Sequence, residues 1–184
     1  MNYATIKKYD IANGKGERVS LFVSGCRHHC PGCFNPDTWD FNYGKPYTKE
    51  IQETILKSCE PDYIEGLSLL GGEPFEPENI QSVLELITEF KKRFPTKTIW
   101  CYTGYKYEEL LDGKLITHTT AKTVSEEEQH IIRSILMQID ILVDGEFHIA
   151  EKDLKLPFRG SSNQRLIDIA ASHSAGTVVP YKVS

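Results

Sequence analysis

The chain has 184 residues, of which 40% are hydrophobic and 26% charged, and it carries a net charge of −5. That length suits one domain, and the composition is that of a globular chain rather than a disordered one. No apolar run approaches the roughly 20 residues of a membrane-spanning helix, the N-terminal MNYATIKKYD lacks a secretory core, and the negative charge disfavours wrapping nucleic acid. A cytoplasmic protein is expected.

The first strand is read over Arg18 to Ser24 and stops at Gly25. A loop rich in Gly, Pro, Asn and Asp follows from Gly25 to Pro46, the composition of a site-bearing segment. Thr48 is placed to cap a helix over Lys49 to Ser58. Gly66 to Leu70 reads as a short buried strand, halted by Gly71-Gly72-Glu73-Pro74. From Pro77 to Phe94, Ile80, Val83, Leu84, Ile87 and Phe90 share one helical face. Thr98 to Tyr102 is the next strand, ending at Thr103-Gly104, and Tyr107 to Leu111 a short helix. Ser125 to Gln138 forms an amphipathic helix whose Glu126-Glu127-Glu128 complements the helix dipole. Ile139 to Val143 is the last clear strand, ending at Asp144-Gly145, and the pattern loosens from Phe147 onward.

Strand and helix alternate, which predicts an α/β fold with a largely parallel sheet. Every strand ends in a glycine-containing polar turn, so the four turns should gather at the carboxyl edge, where parallel α/β folds bind ligands. A complete eight-stranded barrel takes about 250 residues, so an incomplete barrel or an open sheet is expected. A single domain should cover residues 1 to 184, with 170 to 184 as an extension.

Three of the five cysteines, Cys26, Cys30 and Cys33, fall within eight residues as C-x3-C-x2-C. An odd cysteine count without a signal peptide argues against a disulfide framework. Thiolates on a short loop suit a soft metal. Two chemistries fit: a zinc site completed by His28, His29 or a distant ligand, and a [4Fe–4S] cluster held by three thiolates with one iron open. Cys59 and Cys101 lie far off and read as small buried residues. A phosphate-binding P-loop is excluded, because no G-x4-G-K-[ST] occurs.

The cysteine motif after the first strand, with Gly71-Gly72-Glu73-Pro74 after the second, resembles the radical S-adenosylmethionine superfamily. A narrower resemblance is to the activating enzymes of anaerobic (class III) ribonucleotide reductases. It rests on Asp10 to Arg18, Leu21 to Cys26, Cys30-Pro-Gly-Cys33-Phe-Asn35, Thr38-Trp39, Trp100 to Tyr105, Leu142 to Gly145 and Phe158-Arg-Gly-Ser-Ser-Asn-Gln-Arg165. It implies a partial βα barrel of the radical S-adenosylmethionine type. It implies a [4Fe–4S] cluster on Cys26, Cys30 and Cys33, with S-adenosylmethionine chelated to the open iron and its methionine end held by Gly71, Gly72, Glu73 and Pro74. Glycine suits that turn because a Cβ would block close approach.

Reductive cleavage of the cofactor would then yield a 5′-deoxyadenosyl radical that takes hydrogen from a glycine near the C-terminus of the large reductase subunit. Flavodoxin or a ferredoxin-like protein would supply the electron. Gly32 and Phe34 would flank the cofactor, and Thr103 and Asp144 would either reach its ribose or cap their turns. Arg159 and Asn163 would line the rim or touch the partner, while His28 and His29 are expected as exposed loop residues, and Trp39 and Trp100 as core or rim. Two positions depart from the pattern. Gly32 stands where many superfamily members carry an aromatic, and Glu146 where this family often carries lysine, so Glu146 receives no cofactor role. The rivals are an activator of another glycyl-radical enzyme and a non-catalytic zinc-binding module.

Overall fold

A computed structural model describes residues 1–183. The strand expected at Arg18 is preceded by another, β1 (Asn2–Asp10), which pairs antiparallel with β2 (Glu17–Val23). The chain then passes through the cysteine loop and a 3-10 turn at Pro36–Trp39 to the two-residue strand β3 (Lys45–Pro46). Next come α1 (Lys49–Ser58), β4 (Ile64–Gly71), α2 (Pro77–Arg93), β5 (Thr98–Tyr102) and α3 (Tyr107–Asp112). A small hairpin of β6 (Lys114–Ile116) and β7 (Ala121–Thr123) leads to α4 (Glu126–Leu136) and β8 (Ile141–Asp144). The last elements are β9 (Arg165–Asp168) and α5 (Ile169–Ala175).

The helix ends follow local chemistry. Thr48 Oγ1 accepts from Ile51 N–H at 3.4 Å, as its position before α1 predicts. Ser125 and Glu128 cap α4 reciprocally, at 3.1 and 2.7 Å. Glu128 in the acidic run therefore has a specific bond as well as a favourable place on the helix dipole.

Among the described residues, seven strands form one sheet in the order β3-β1-β2-β4-β5-β8-β9. The central four, β2, β4, β5 and β8, run parallel, as strand-helix alternation predicts. Both flanks are antiparallel, so the sheet is mixed. The added strands escaped periodicity because β3 and β9 are short edges and β1 is covered on its outer side only by the two-residue β3. β1 carries Lys7, Lys8 and Tyr9 on a partly exposed ribbon, and β9 has only four residues.

The pleat sends alternate residues to opposite faces. Val19, Leu21, Val23, Leu67, Leu69, Ile99, Cys101 and Leu142 pack with Ile55 and Leu56 of α1, Ile80 to Phe90 of α2, and Ile132 and Ile135 of α4. Trp100, Ile141, Val143 and Leu166 form a second cluster with Tyr102, Phe158 and Tyr181. The three long helices thus share one core and one face of the sheet. Cys59 and Cys101 are both fully buried, as expected of small core residues.

The segment after β9 returns to the sheet. Asp168 N–H donates to Val179 O at 3.0 Å, Tyr181 N–H to Leu166 O at 2.8 Å, and the Tyr181 ring meets Trp100 edge-on at 5.4 Å. No helix among the described residues is long and apolar enough to cross a membrane.

Candidate functional site

Parallel strands deliver their carboxyl ends to one edge, and there the cysteine loop meets the turns after β4, β5 and β8. The cysteine loop is hung from its own end and from the next turn. Gly25 N–H donates to Thr38 O at 2.8 Å, and Cys26 N–H to Trp39 O at 3.2 Å. From the Gly-Gly-Glu-Pro turn, Gly72 N–H donates to Val23 O and Glu73 N–H to Gly25 O, both at 2.8 Å. A Cβ on Gly72 would stand 2.6 Å from Gly25 O, so only glycine permits this approach. The turn's amides at 72 and 73 are thereby engaged.

All three motif cysteines are free thiols. Backbone N–H groups of His28 and His29 face Cys26, that of Phe147 faces Cys30, and Asn35 N–H donates to Cys33 Sγ at 3.4 Å. Burial, reinforced by Glu73, pushes the Cys26 thiol far up, and burial pushes Cys30 up to about 11. A metal has to displace these protons, whereas the amides supply the bonds that stabilise sulfur charge afterwards. Among the described residues no group of three His, Cys, Asp or Glu side chains converges on a single metal ion. A cubane asks for less convergence, because each thiolate takes a different iron. Free thiols on one loop, each faced by an amide, fit such a cluster.

Glu73 is 1% exposed and acts as the central acceptor of the edge. It receives Phe75 N–H at 2.9 Å, Thr103 Oγ1–H at 2.8 Å and Gly104 N–H at 2.8 Å, which ties the β4 turn to the β5 turn. Asn79, near the start of α2, donates through Nδ2 to Ser24 O at 3.0 Å and Glu73 O at 2.9 Å. Glu76, also buried, accepts from both the amide and the guanidinium of Arg27. Burial raises the Glu76 carboxyl above its ordinary value, against the pull of Arg27.

Thr103 and Asp144 both lie at this edge, and both are engaged in holding turns. Thr103 Oγ1 also accepts Tyr105 N–H at 3.1 Å. Asp144 accepts Tyr107 N–H at 2.8 Å, which anchors the first turn of α3, and pairs with Arg165 at 2.8 and 2.5 Å. Gly32 and Phe34 face a different neighbour, the irregular segment after β8. A Cβ on Gly32 would meet Ile149 Cδ1 at 2.6 Å, and the half-exposed Phe34 ring lies 5.1 Å from that of Phe147. The segment Arg159 to Gln164 holds that region in place. Gln164 Oε1 accepts from Gly160 N–H, its Nε2 donates to Gly145 O, and Asn163 Nδ2 donates to Glu146 O at 2.8 Å. Arg159 donates to Gln164 O at 2.9 Å.

One expectation is overturned. His28 is not exposed; it is 1% exposed, inside the site, while its neighbour His29 is outside and stacked on Trp39 at 4.7 Å. His28 Nδ1 meets Glu146 Oε1 at 2.7 Å, and Nε2 stands 3.3 Å from Glu73 Oε2, within ion-pair range but without hydrogen-bond alignment. Burial opposes the imidazolium, yet the two carboxylates outweigh it and push the His28 pKa up to about 9. Glu146, left without a role by the sequence, is the partner of a buried histidine. Nothing in the local pattern marks this pair, because the two residues are 118 positions apart.

A family model described as a 4Fe-4S single cluster domain matches residues 12–167. The chain is 39% identical over 166 residues to the anaerobic ribonucleoside-triphosphate reductase-activating proteins of Escherichia coli K12 and of Vibrio cholerae, covering 89% of this chain and 96% of each relative. It is 36% identical over 168 residues to the protein of the same name from enterobacteria phage T4, covering 90% of this chain and 93% of the relative. With its three thiols at the carboxyl edge of a mixed α/β sheet, the chain belongs to the family of anaerobic ribonucleoside-triphosphate reductase-activating proteins, built on a 4Fe-4S single cluster domain.

Proposed function

We propose that this chain activates an anaerobic ribonucleoside-triphosphate reductase by generating a glycyl radical on its large subunit. The observation that carries the reading is the approach of Gly72 to Gly25 O, too close for any side chain, which holds the Gly-Gly-Glu-Pro turn against the loop that bears the three thiols. The likeness in sequence to named activating proteins over 89% of the chain supports it.

Cys26, Cys30 and Cys33 would hold three irons of a [4Fe–4S] cluster, and Gly71 to Pro74 the methionine end of S-adenosylmethionine. A bound cluster would supply the one-electron reduction of the cofactor's sulfonium from which a glycyl radical on the reductase would arise. The chain's own contribution is orientation and exclusion of water. The Glu73 carboxylate holds the β4 and β5 turns in one fixed arrangement. Thr103 and Asp144 serve the ribose end by fixing the turns that line it, since their oxygens already hold backbone and Arg165. Gly32 and Phe34 flank the cofactor from the cysteine side, where the segment after β8 supports them. Arg159 and Asn163 form the rim. The placement of the three long helices on one face of the sheet supports a partial barrel, whose open mouth would admit a polypeptide. A flavodoxin or ferredoxin-like protein would deliver the electron.

The test is electron paramagnetic resonance of the anaerobically reconstituted, dithionite-reduced chain, with and without S-adenosylmethionine, and then with the reductase. A cluster signal altered by the cofactor, followed by a glycyl-radical signal on the reductase, is the expected result. Bound zinc and no cluster signal would overturn the reading. A responsive cluster that leaves the reductase untouched would point to another glycyl-radical enzyme.

A further inference from the structure

His28 lies between two motif cysteines in sequence, and its ring reaches all three neighbouring strand-end turns. Glu73, after β4, stands against Nε2, and Glu146, after β8, against Nδ1. The turn after β5 closes the flat side. A Cβ on Gly104 would sit 2.6 Å from the imidazole, and the Tyr105 ring lies 4.3 Å away, tilted by 56°. Each neighbour is fixed in turn. Glu73 receives three donors from its own and the β5 turn. Glu146 Oε1 also accepts His118 N–H at 3.1 Å, and its carbonyl accepts Asn163 Nδ2 at 2.8 Å. The ring therefore has one place to go.

The same residue meets one motif sulfur through its backbone, because the amides of His28 and His29 face Cys26. A side chain locked between three turns fixes where those amides point. Amide-to-sulfur bonds and the placement of a ligand loop are outer-shell devices that tune a cluster and orient what binds it. We propose that His28, bracketed by Glu73 and Glu146, is the positioning residue that registers the cysteine loop against the Gly-Gly-Glu-Pro turn, and so sets the open iron at the correct separation from the methionine end of the cofactor. This rests on the function proposed above and adds to it a residue that is neither a motif cysteine nor part of the Gly-Gly-Glu-Pro turn.

The experiment uses the full chain, reconstituted anaerobically, as wild type, His28→Ala, His28→Gln and Glu146→Gln. Iron and sulfide content, the reduced-cluster spectrum and its titration with S-adenosylmethionine are measured. All four are expected to hold the cluster, since the cysteines are intact. His28→Ala is expected to change the spectrum before cofactor is added and to raise the half-saturating cofactor concentration about tenfold or more, in the range for outer-shell substitutions at metal sites. His28→Gln, which can still reach one carboxylate, recovers part of the loss. If His28→Ala fails to fold, Glu146→Gln reads the same contact with the ring in place and is expected to weaken the response in the same direction.

A normal wild-type response, with His28→Ala or Glu146→Gln within twofold of it, would overturn the inference alone. A wild-type chain whose cluster ignores S-adenosylmethionine would overturn the proposed function, and the inference with it.

Discussion

Replacing Glu73 by glutamine removes one acceptor oxygen and changes almost nothing in shape. The carboxylate is 1% exposed and takes three donors at 2.8 to 2.9 Å. An amide oxygen on the Oε1 side keeps Phe75 N–H and Thr103 Oγ1–H, but its NH2 then faces Gly104 N–H. The opposite orientation keeps Gly104 and leaves Phe75 N–H unpaired, while the threonine hydroxyl rotates to accept. Either way one buried amide loses its partner and the rest lose a charged acceptor. A charge-assisted hydrogen bond is worth about 1.5–3 kcal/mol net, and a neutral amide recovers some of that because it costs less to bury. The expected loss is about 2–3 kcal/mol. For a chain of this size each kcal/mol moves Tm by roughly 2–4 °C, so a fall of about 5–10 °C is expected by circular dichroism of the anaerobically reconstituted protein. Iron content should stay unchanged, because no cysteine is touched. A Tm within 1 °C of wild type would refute the reading of Glu73 as the bond that joins the two turns.

Gly72→Ala drives a Cβ to within 2.6 Å of Gly25 O and 3.0 Å of Thr38 O, both backbone atoms. Relieving that overlap costs about 1–3 kcal/mol and moves the turn off the cysteine loop. The cluster should assemble while its spectral response to S-adenosylmethionine is lost, as a cofactor titration would register. Asp10 accepts Ala12 N–H at 2.9 Å and Asn13 Nδ2–H at 2.7 Å. Burial raises its carboxyl, but these bonds, with Asn13 the stronger, outweigh burial and hold it below the ordinary 3.8. A depressed carboxyl stabilises the fold above the unfolded value and ceases to do so as pH falls through the folded one. Asp10→Asn should therefore destabilise the protein by about 1–2 kcal/mol at pH 7 in urea unfolding. The gap to wild type should narrow below pH 3.8, and a gap that widened there would contradict the assignment.

The central architecture was legible because its signals are local. β2, β4, β5 and β8 each run into a glycine-containing turn, and α2 and α4 carry their apolar residues at helical spacing, so element type and order follow from periodicity and turn chemistry. β1, β3 and β9 were not legible, because the pattern of β1 is diluted by exposed lysines and tyrosine and β3 and β9 are too short to show a period. The segment after Ile169 gives no periodic signal either. It is held by α5, by the return of residues 179 to 181 to β9 and by the Tyr181 contact with Trp100.

The site divides in the same way. Cys26, Cys30 and Cys33 announce a soft-metal site by type and spacing, because one short loop can aim several thiols, and Gly71-Gly72 announces a tight turn; the cluster and the cofactor were implied by the family resemblance. His28 and Glu146 do not. A histidine in a loop and a glutamate after Asp-Gly have no local feature that joins them, and tertiary structure alone buries one against the other at 2.7 Å. Thr103 and Asp144 could be placed at strand ends from sequence, but which partner each oxygen takes was decided by where Glu73, Tyr107 and Arg165 arrive in space. Residue type and spacing narrowed the cysteine loop to a soft-metal site and placed it at the strand ends. Only the packing of four strand ends against one loop decided which polar groups hold one another and which are turned to the site.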